Sequence, residues 1–298
     1  MFRNVFSLST ILLCLFISSQ QTAKGQVLDL LRLELTKIPK GRSNISYQRQ
    51  RALFNLPIKI DTETYIVAGL DYSSIDLTFE DEVKEFNTDE LEQFQILSVN
   101  LGYLTTLKSG WKLGISGKLG FTSNLSTSKL LDDDLAFSGL FIFINDRKED
   151  PTLLRPYRWI LGVSYSENGG ISFPIPFISY YRRFHPKWSY NLGIPRTNLQ
   201  YRASEKVRFK LYAELDGFNS NLQRSVLVRE QTLTDRIRMV VIVGGIRAEY
   251  NINDHIEIFS MSNYILTNNV QLINGRDQII KLNNNNEFYL RFGIRLKP

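Results

Sequence analysis

The segment from Asn286 to Pro298, NEFYLRFGIRLKP, alternates between apolar and polar residues. Phe288, Leu290, Phe292, Ile294 and Leu296 fall on one face of an extended strand, and Tyr289, Arg291, Gly293, Arg295 and Lys297 fall on the other. Successive side chains of a strand point to opposite faces, so this strand has one greasy and one cationic side. The period recurs over 111–122, where Trp111, Leu113, Ile115, Leu119 and Phe121 oppose Lys112, Gly114, Ser116, Lys118, Gly120 and Thr122. It recurs again over 206–217, where Val207, Phe209, Leu211, Ala213 and Leu215 oppose Lys206, Arg208, Lys210, Tyr212, Glu214 and Asp216.

Weaker versions of the pattern complete a set of about twelve strands. These are Ile45–Leu56, Thr64–Phe79, Phe94–Leu107, Trp111–Ser126, Leu135–Asn145, Arg158–Ser166, Phe177–Phe184, Trp188–Tyr201, Lys206–Phe218, Asp235–Tyr250, Ile256–Asn268 and Asn286–Lys297. Each is near the length a tilted strand needs to cross a bilayer. Residues 27–43, closed by Pro39 and Gly41, read as a lead-in, either a short strand or a periplasmic segment. Alternation alone does not separate a soluble sandwich from a barrel. Three further features point to an all-β antiparallel transmembrane β-barrel of about 12 strands, within a range of 10–14: the leader, the terminal strand and the placement of the aromatics.

The leader spans residues 1–25 as a signal peptide: Arg3 is the positive start, Val5 to Ile17 the apolar core, and Ala23-Lys24-Gly25 a small-x-small cleavage site before Gln26. Residues 26–298 then form one barrel domain. Cys14, the only cysteine, lies in the leader, which leaves the mature chain without disulfides, thiolate metal sites or a cysteine nucleophile. Removing Arg3 and Lys24 with the leader leaves 34 basic against 30 acidic residues, a net +4. That excess is too mild and too dispersed for a nucleic-acid partner. Beyond the leader the longest apolar run, Met239 to Ile246, is far too short for a membrane-spanning helix.

Aromatics mark the strand ends. Trp111, Trp159 and Trp188 each open a predicted strand, and Tyr103 and Phe288 lie near others. Rings at the two membrane interfaces are what an aromatic girdle requires. The connections fall into tight ones (Lys108–Gly110, His185–Lys187, Ala203–Glu205, Asn251–His255) and long polar ones (Glu80–Gln93, Thr127–Asp134, Asp146–Pro156, Asn219–Thr234, Asn269–Asn285). Short periplasmic turns and long external loops alternate in outer-membrane barrels. The alternation slips between 145 and 203, where Pro174, Pro176 and Pro195 lie. Proline interrupts a ladder, so either a boundary there is misplaced or a short strand pair is hidden around Pro195.

Catalytic signatures are missing: there is no GxxxxGK[ST], HExxH or GxSxG. Gly114-Ile-Ser-Gly-Lys118 is glycine-rich but sits in an alternating strand. The two histidines, His185 and His255, lie in turns; Ser189 and Asp254 are near them, yet nothing assembles a Ser–His–acid set. Asp132-Asp133-Asp134, and Asp146 with Glu149-Asp150, read as solvated loop acids rather than Ca²⁺ ligands, since no EF-hand spacing is present. The expectation is no catalysis, no cofactor and no metal. Charges on inner strand faces are Lys112, Lys118, Arg208, Lys210, Glu214, Asp216, Arg291 and Arg295. Charge inside a membrane barrel must be paired or wet. Either opposite charges cross-pair and plug the lumen, or a basic excess lines a narrow, passive, anion-favouring path.

Four phrases carry a resemblance: Arg51-Ala-Leu-Phe-Asn-Leu-Pro57, Pro174-Ile-Pro-Phe-Ile-Ser-Tyr-Tyr181, Trp188-Ser-Tyr-Asn-Leu-Gly-Ile-Pro195 and Phe288-Tyr-Leu-Arg-Phe-Gly-Ile294. The chain resembles an uncharacterised family of bacterial outer-membrane β-barrels, classed as a domain of unknown function. The resemblance covers nearly all of the mature chain and implies fold and a Gram-negative outer-membrane location; it transfers no catalytic residues. The ending Leu296-Lys297-Pro298 departs from the terminal aromatic of many such barrels. The expected protein is a monomer contacting outer-membrane lipid and lipopolysaccharide and inserted by the barrel-assembly machinery. Alternative functions are an outer-membrane enzyme acting on lipid or lipopolysaccharide, and a secreted soluble ligand-binding β-protein.

Overall fold

In the computed structural model, the described residues are 28–40, 45–79, 86–127, 129–171, 173–229, 231–275, 277–283 and 287–298. Residues 1–25, which the sequence reads as a signal peptide, lie outside them. Among the described residues fifteen strands follow in order: β1 Leu31–Ile38, β2 Ile45–Lys59, β3 Thr64–Phe79, β4 Gln93–Thr106, β5 Lys112–Ser123, β6 Leu135–Arg147, β7 Tyr157–Ser166 and β8 Ile175–His185. The rest are β9 Trp188–Ile194, β10 Arg196–Arg202, β11 Val207–Val228, β12 Thr232–Asn251, β13 Ile256–Asn274, β14 Asp277–Asn283 and β15 Phe288–Leu296. Each pairs antiparallel with its sequence neighbour up to β13, and β15 pairs with both β13 and β1. The result is a closed antiparallel barrel of 14 strands, with β14 a short addition to the outer end of β13.

The count exceeds twelve for two reasons, and stays inside the expected range. The lead-in contains β1, whose Leu31, Leu33 and Leu35 face outward while Glu34 and Thr36 are buried inside. The predicted strand Trp188–Tyr201 is a hairpin, β9 and β10, folded at Pro195. The short pair suspected at that proline is therefore real.

Two of the predicted long loops are strand instead. Residues 219–234 continue β11 to Val228 and resume as β12 at Thr232, and residues 269–285 hold the end of β13 and all of β14. Their polar composition (Asn219-Ser-Asn, Asn268-Asn269) reads as loop, but these segments continue the hairpin ladders past the apolar band. Asp146–Pro156 joins β6 to β7 at the same end as the tight turns, the start of β1 and the end of β15, not at the opposite one. We call that end near and the other far.

Large apolar side chains stay exposed on the outer face. Leu101 is 64% and Leu211 60% exposed, with Leu33, Phe54, Leu70, Leu119, Ile246 and Phe292 in the same band. A continuous exposed apolar belt on a closed barrel is the surface that hydrocarbon covers. Among the described residues no helix is long and apolar enough to cross a membrane.

The far end is narrower than the near end. β11 pairs with β10 only as far as Arg196 opposite Glu214, with Leu215 N–H donating to the Pro195 carbonyl at 3.1 Å. Beyond that it bypasses β6–β10 and meets β5, where Asn221 bridges Ser123 in parallel and Thr122 Oγ1 donates to the Asn219 carbonyl at 2.8 Å. This brings the inward Phe218 against Phe94 and Tyr47, at ring separations of 5.8 and 6.1 Å. Ile38, Ile75, Leu77, Leu222, Val226, Ile237 and Leu272 complete an apolar core across the interior. The buried Asp134 fastens the fold-over by accepting from Asn221 at 2.7 Å and Gln223 at 2.6 Å. Burial pushes its carboxyl up, but the Leu131 N–H and these amides outweigh burial and hold it below the ordinary carboxylate range.

Candidate functional site

Cross-strand register builds the interior of the near half. Arg208 lies opposite Glu249, Glu257 opposite Arg295, Thr36 opposite Arg291, and Glu34 opposite Arg51. Directly opposed residues share a face, so inward charges on neighbouring strands meet in rows.

Two clusters result. In the first, Glu249 and Glu257 are fully buried side chains on β12 and β13. Glu249 contacts Lys210 at 2.7 Å, Arg247 at 2.7 Å and Arg208 at 3.1 Å. Glu257 contacts Arg295 at 2.5 Å, Lys297 at 3.4 Å and also Arg208. In the second, Asp216 receives Arg49 at 3.0 Å, Arg291 at 2.5 Å and the Tyr289 hydroxyl at 2.5 Å. Arg291 also reaches Glu214 at 3.2 Å and donates from Nε to Thr36 Oγ1 at 3.1 Å, and Arg196 pairs with Glu214. Asp71 takes Arg51 at 2.7 Å and Lys118 at 2.9 Å.

Of the eight inner-face charges expected from the sequence, Lys118, Arg208, Lys210, Glu214, Asp216, Arg291 and Arg295 therefore stand in these ion pairs. Lys112 sits on the same face at the near mouth, beside the turn 107–111. Sequence reasoning missed their partners Glu249, Glu257, Arg247, Arg49, Arg51 and Asp71. The signal was present: Arg247 and Glu249 alternate with Ile246, Ala248 and Tyr250, and Glu257 alternates with Ile256 and Ile258.

Gly293 lies on the inner face in the middle of this array. A Cβ there would come within 2.4 Å of the Phe259 ring and 2.6 Å of the Leu33 carbonyl oxygen. Its absence lets Phe259 lie against β15, with the Arg247 guanidinium 3.9 Å over the ring centroid. Gly293→Val is expected to lower stability by about 1–3 kcal/mol through overpacking. Urea unfolding of the refolded protein in detergent measures it; no change would mean the ring moves aside freely.

A different inner surface lines β4 and β6–β8. Ile142, Ile144 and Ile160 are buried there against Leu104, Leu140 and Phe177. On the outer face, Tyr103, Trp159 and Trp188 are exposed close to the near end, with Trp159 stacked on Tyr180 at 4.3 Å and Trp188 against Tyr201 at 4.8 Å. Trp111 is half-buried at the β4–β5 turn, and Phe288 lies at the far end, edge-on to Tyr264. His185 accepts from the Lys187 N–H within its own turn, and His255 occupies the β12–β13 turn. Asp150 binds Thr152 and Arg147 locally. Among the described residues no group of His, Cys, Asp or Glu is arranged to hold a metal.

A family model described as a domain of unknown function, DUF6268, matches residues 34–296. The chain belongs to that family. No curated protein matches it. Among solved structures, the COG4313 outer membrane channel from Pseudomonas putida F1 overlaps at TM-score 0.44 with 8% identity, over 93% of this chain and 99% of that one. The NanC porin overlaps at 0.38 with 10% identity, over 89% and 100%. A deletion mutant of the TodX monoaromatic hydrocarbon channel overlaps at 0.39 with 10% identity, over 91% and 90%. The barrel of this family member rests on its own strand ladder, not on those overlaps.

Proposed function

We propose that this protein is a passive, non-catalytic barrel of the bacterial outer membrane whose axial path is shut at rest. The observation that carries this reading is the far-end core, where Phe218 packs on Phe94 and Tyr47 across the interior. Beneath it, paired charge supports the plugged reading over an open anion path, because Asp216, Glu249 and Glu257 each already hold several cations. In this reading Lys112, Lys118 and the paired residues line the lumen. Tyr103, Trp111, Trp159, Trp188 and Phe288 serve as the girdle, and the apolar belt meets lipid and lipopolysaccharide as a monomer. Insertion by the barrel-assembly machinery fits the same reading.

Planar-bilayer recording of the refolded chain tests it. The wild-type protein is expected to give no steady conductance. Steady current through the wild-type protein would overturn the shut path. Recovery of the protein from aqueous periplasm without detergent would overturn membrane residence.

A further inference from the structure

Cations on the inner face of the near half divide into two sets. The inward arginines of β1, β2, β11, β12 and β15 each lie within 3.4 Å of a carboxylate. On β6–β8 that pairing stops. Asp146 stands opposite Arg158, and Arg158 opposite Tyr181, in one cross-strand row. Trp159 is exposed on the outside while Ile160 is buried, and Ser179 is buried while Phe184 is exposed. The alternation therefore turns Arg158, Tyr181 and Arg183 into the barrel. Among the described residues, Arg158 and Arg183 have no ion pair and no side-chain hydrogen bond, and Arg158 Nε is shut off from water without an acceptor. Several paired arginines also leave Nε open, but each of those touches a carboxylate, whereas Arg158 touches none.

Lys148, just past the end of β6, completes the group. Its Nζ is 3.8 Å from Asp146 Oδ2 and 6.0 Å from the centre of the Tyr181 ring, so it reaches across β7 over Arg158. Its backbone N–H donates to Asp146 Oδ1 at 3.1 Å. Burial, and then Arg158, push the Lys148 ammonium below its usual range, outweighing Asp146 and Glu149. Lys112, on β5 opposite Ile144, adds a further cation one row deeper. All these side chains are half-buried rather than sealed, and they lie beside the 146–156 connection at the near mouth. Charge inside a membrane barrel must be paired or wet. Here Lys148, Arg158 and Arg183 gather around the one carboxylate of Asp146, which leaves two positive charges facing the lumen.

We propose that this group is a binding site for a doubly charged oxyanion of the phosphate type, which enters from the near mouth. Guanidinium groups suit such an anion because their planar donors pair with two of its oxygens at once. Arg158 and Arg183 supply two such forks, and Lys148 supplies a point charge. Asp146 holds Lys148 in place and trims the site to a net charge that a dianion neutralises. The side chains face the lumen and not the bilayer, so the ligand is a dissolved solute and not a lipid headgroup. With the far end shut, the anion is held rather than conducted. The site needs only the inner face of β6–β8, so its test is independent of whether the axial path conducts.

Titration calorimetry of the refolded full chain tests the site, with inorganic phosphate as the probe in a nonionic detergent at low ionic strength. Mildly alkaline pH keeps the phosphate a dianion. Saturable binding of one phosphate per chain is expected. Arg158→Gln and Arg183→Gln should each weaken it by about tenfold or more, the weight of a charge-assisted hydrogen bond. Arg182→Gln, next to Arg183 on β8 but on the outer face, should leave it unchanged. Asp146→Asn keeps the acceptor for the Lys148 N–H and removes the competing charge, so it should tighten phosphate binding about threefold; a merely structural carboxylate would not. Acetate should bind about tenfold more weakly than phosphate, and a short-chain phosphatidylglycerol should not displace it. Heat-modifiable gel mobility confirms that each variant folds. No saturable binding by the wild type overturns the site, and so does equal binding by the wild type and either arginine variant, or a loss in Arg182→Gln as large as theirs. Displacement by the lipid would overturn the dissolved ligand, and acetate binding as tight as phosphate would overturn the dianion.

Discussion

Replacing Glu257 by alanine should lower the unfolding free energy of the refolded barrel by about 3–5 kcal/mol, the cost of leaving buried charges without their partner. Its side chain is fully buried and touches Arg208, Arg247, Arg295 and Lys297. With Glu257 gone, Lys297 loses its carboxylate and Arg208, Arg247 and Arg295 crowd onto Glu249, which Lys210 already occupies. The loss is therefore not one ion pair but the repulsion among cations that the carboxylate offset. Glu257→Gln, which keeps shape and one acceptor, should fall between the wild type and alanine. Arg147→Ala provides the contrast: Arg147 is half exposed and meets Asp150 at 3.4 Å, and exposed pairs contribute about 0–1 kcal/mol. Denaturant unfolding in a single detergent compares the three. A Glu257→Ala loss no larger than that of Arg147→Ala would show that the cluster is effectively solvated.

Removing residues 286–298 should prevent a closed barrel from forming at all. β15 pairs with β1 from Leu31–Leu296 to Lys37–Leu290, and with β13 from Ile256–Leu296 to Tyr264–Phe288. Its loss bares two long strand edges within hydrocarbon, where each unsatisfied backbone group costs several kcal/mol. It also removes Arg291, Arg295 and Lys297, stripping three cations from the buried carboxylates. Refolding of the truncated chain should give no heat-modifiable species on gels. A normal mobility shift would mean that β1 and β13 can close the ring directly.

The period-two pattern made most of the wall legible in sequence, because one face must be apolar wherever lipid touches it. It failed where that demand lapses. Asn219-Ser-Asn-Leu-Gln in β11 is strand without an apolar outer face, since there it packs on β5 and the 167–169 turn. Trp188–Tyr201 alternates on both arms of a hairpin, so only Pro195 betrays the fold. Pro176 conflicts with an unbroken ladder, and the structure accounts for it: β8 pairs there with β7, its ladder to β9 having ended at Ile178. For the interior, the charged strand faces showed which residues point inward. They did not show which carboxylate meets which cation, because that depends on register between strands distant in sequence, as with Asp216 and Arg49.

The seam between β1 and β15 has a kinetic consequence. Leu31 and Leu296 sit side by side, yet nearly the whole chain separates them, which makes this ladder far less local than the hairpins of the rest of the wall. Folding rates fall as contacts become less local, and the closing ladder cannot begin to form until the last residues have been synthesised. Until then, β1 and β13 present open edges that invite pairing with other chains. The protein should therefore refold slowly, with yield falling as concentration rises. Dilution or added lipid surface, rather than longer incubation, should improve recovery.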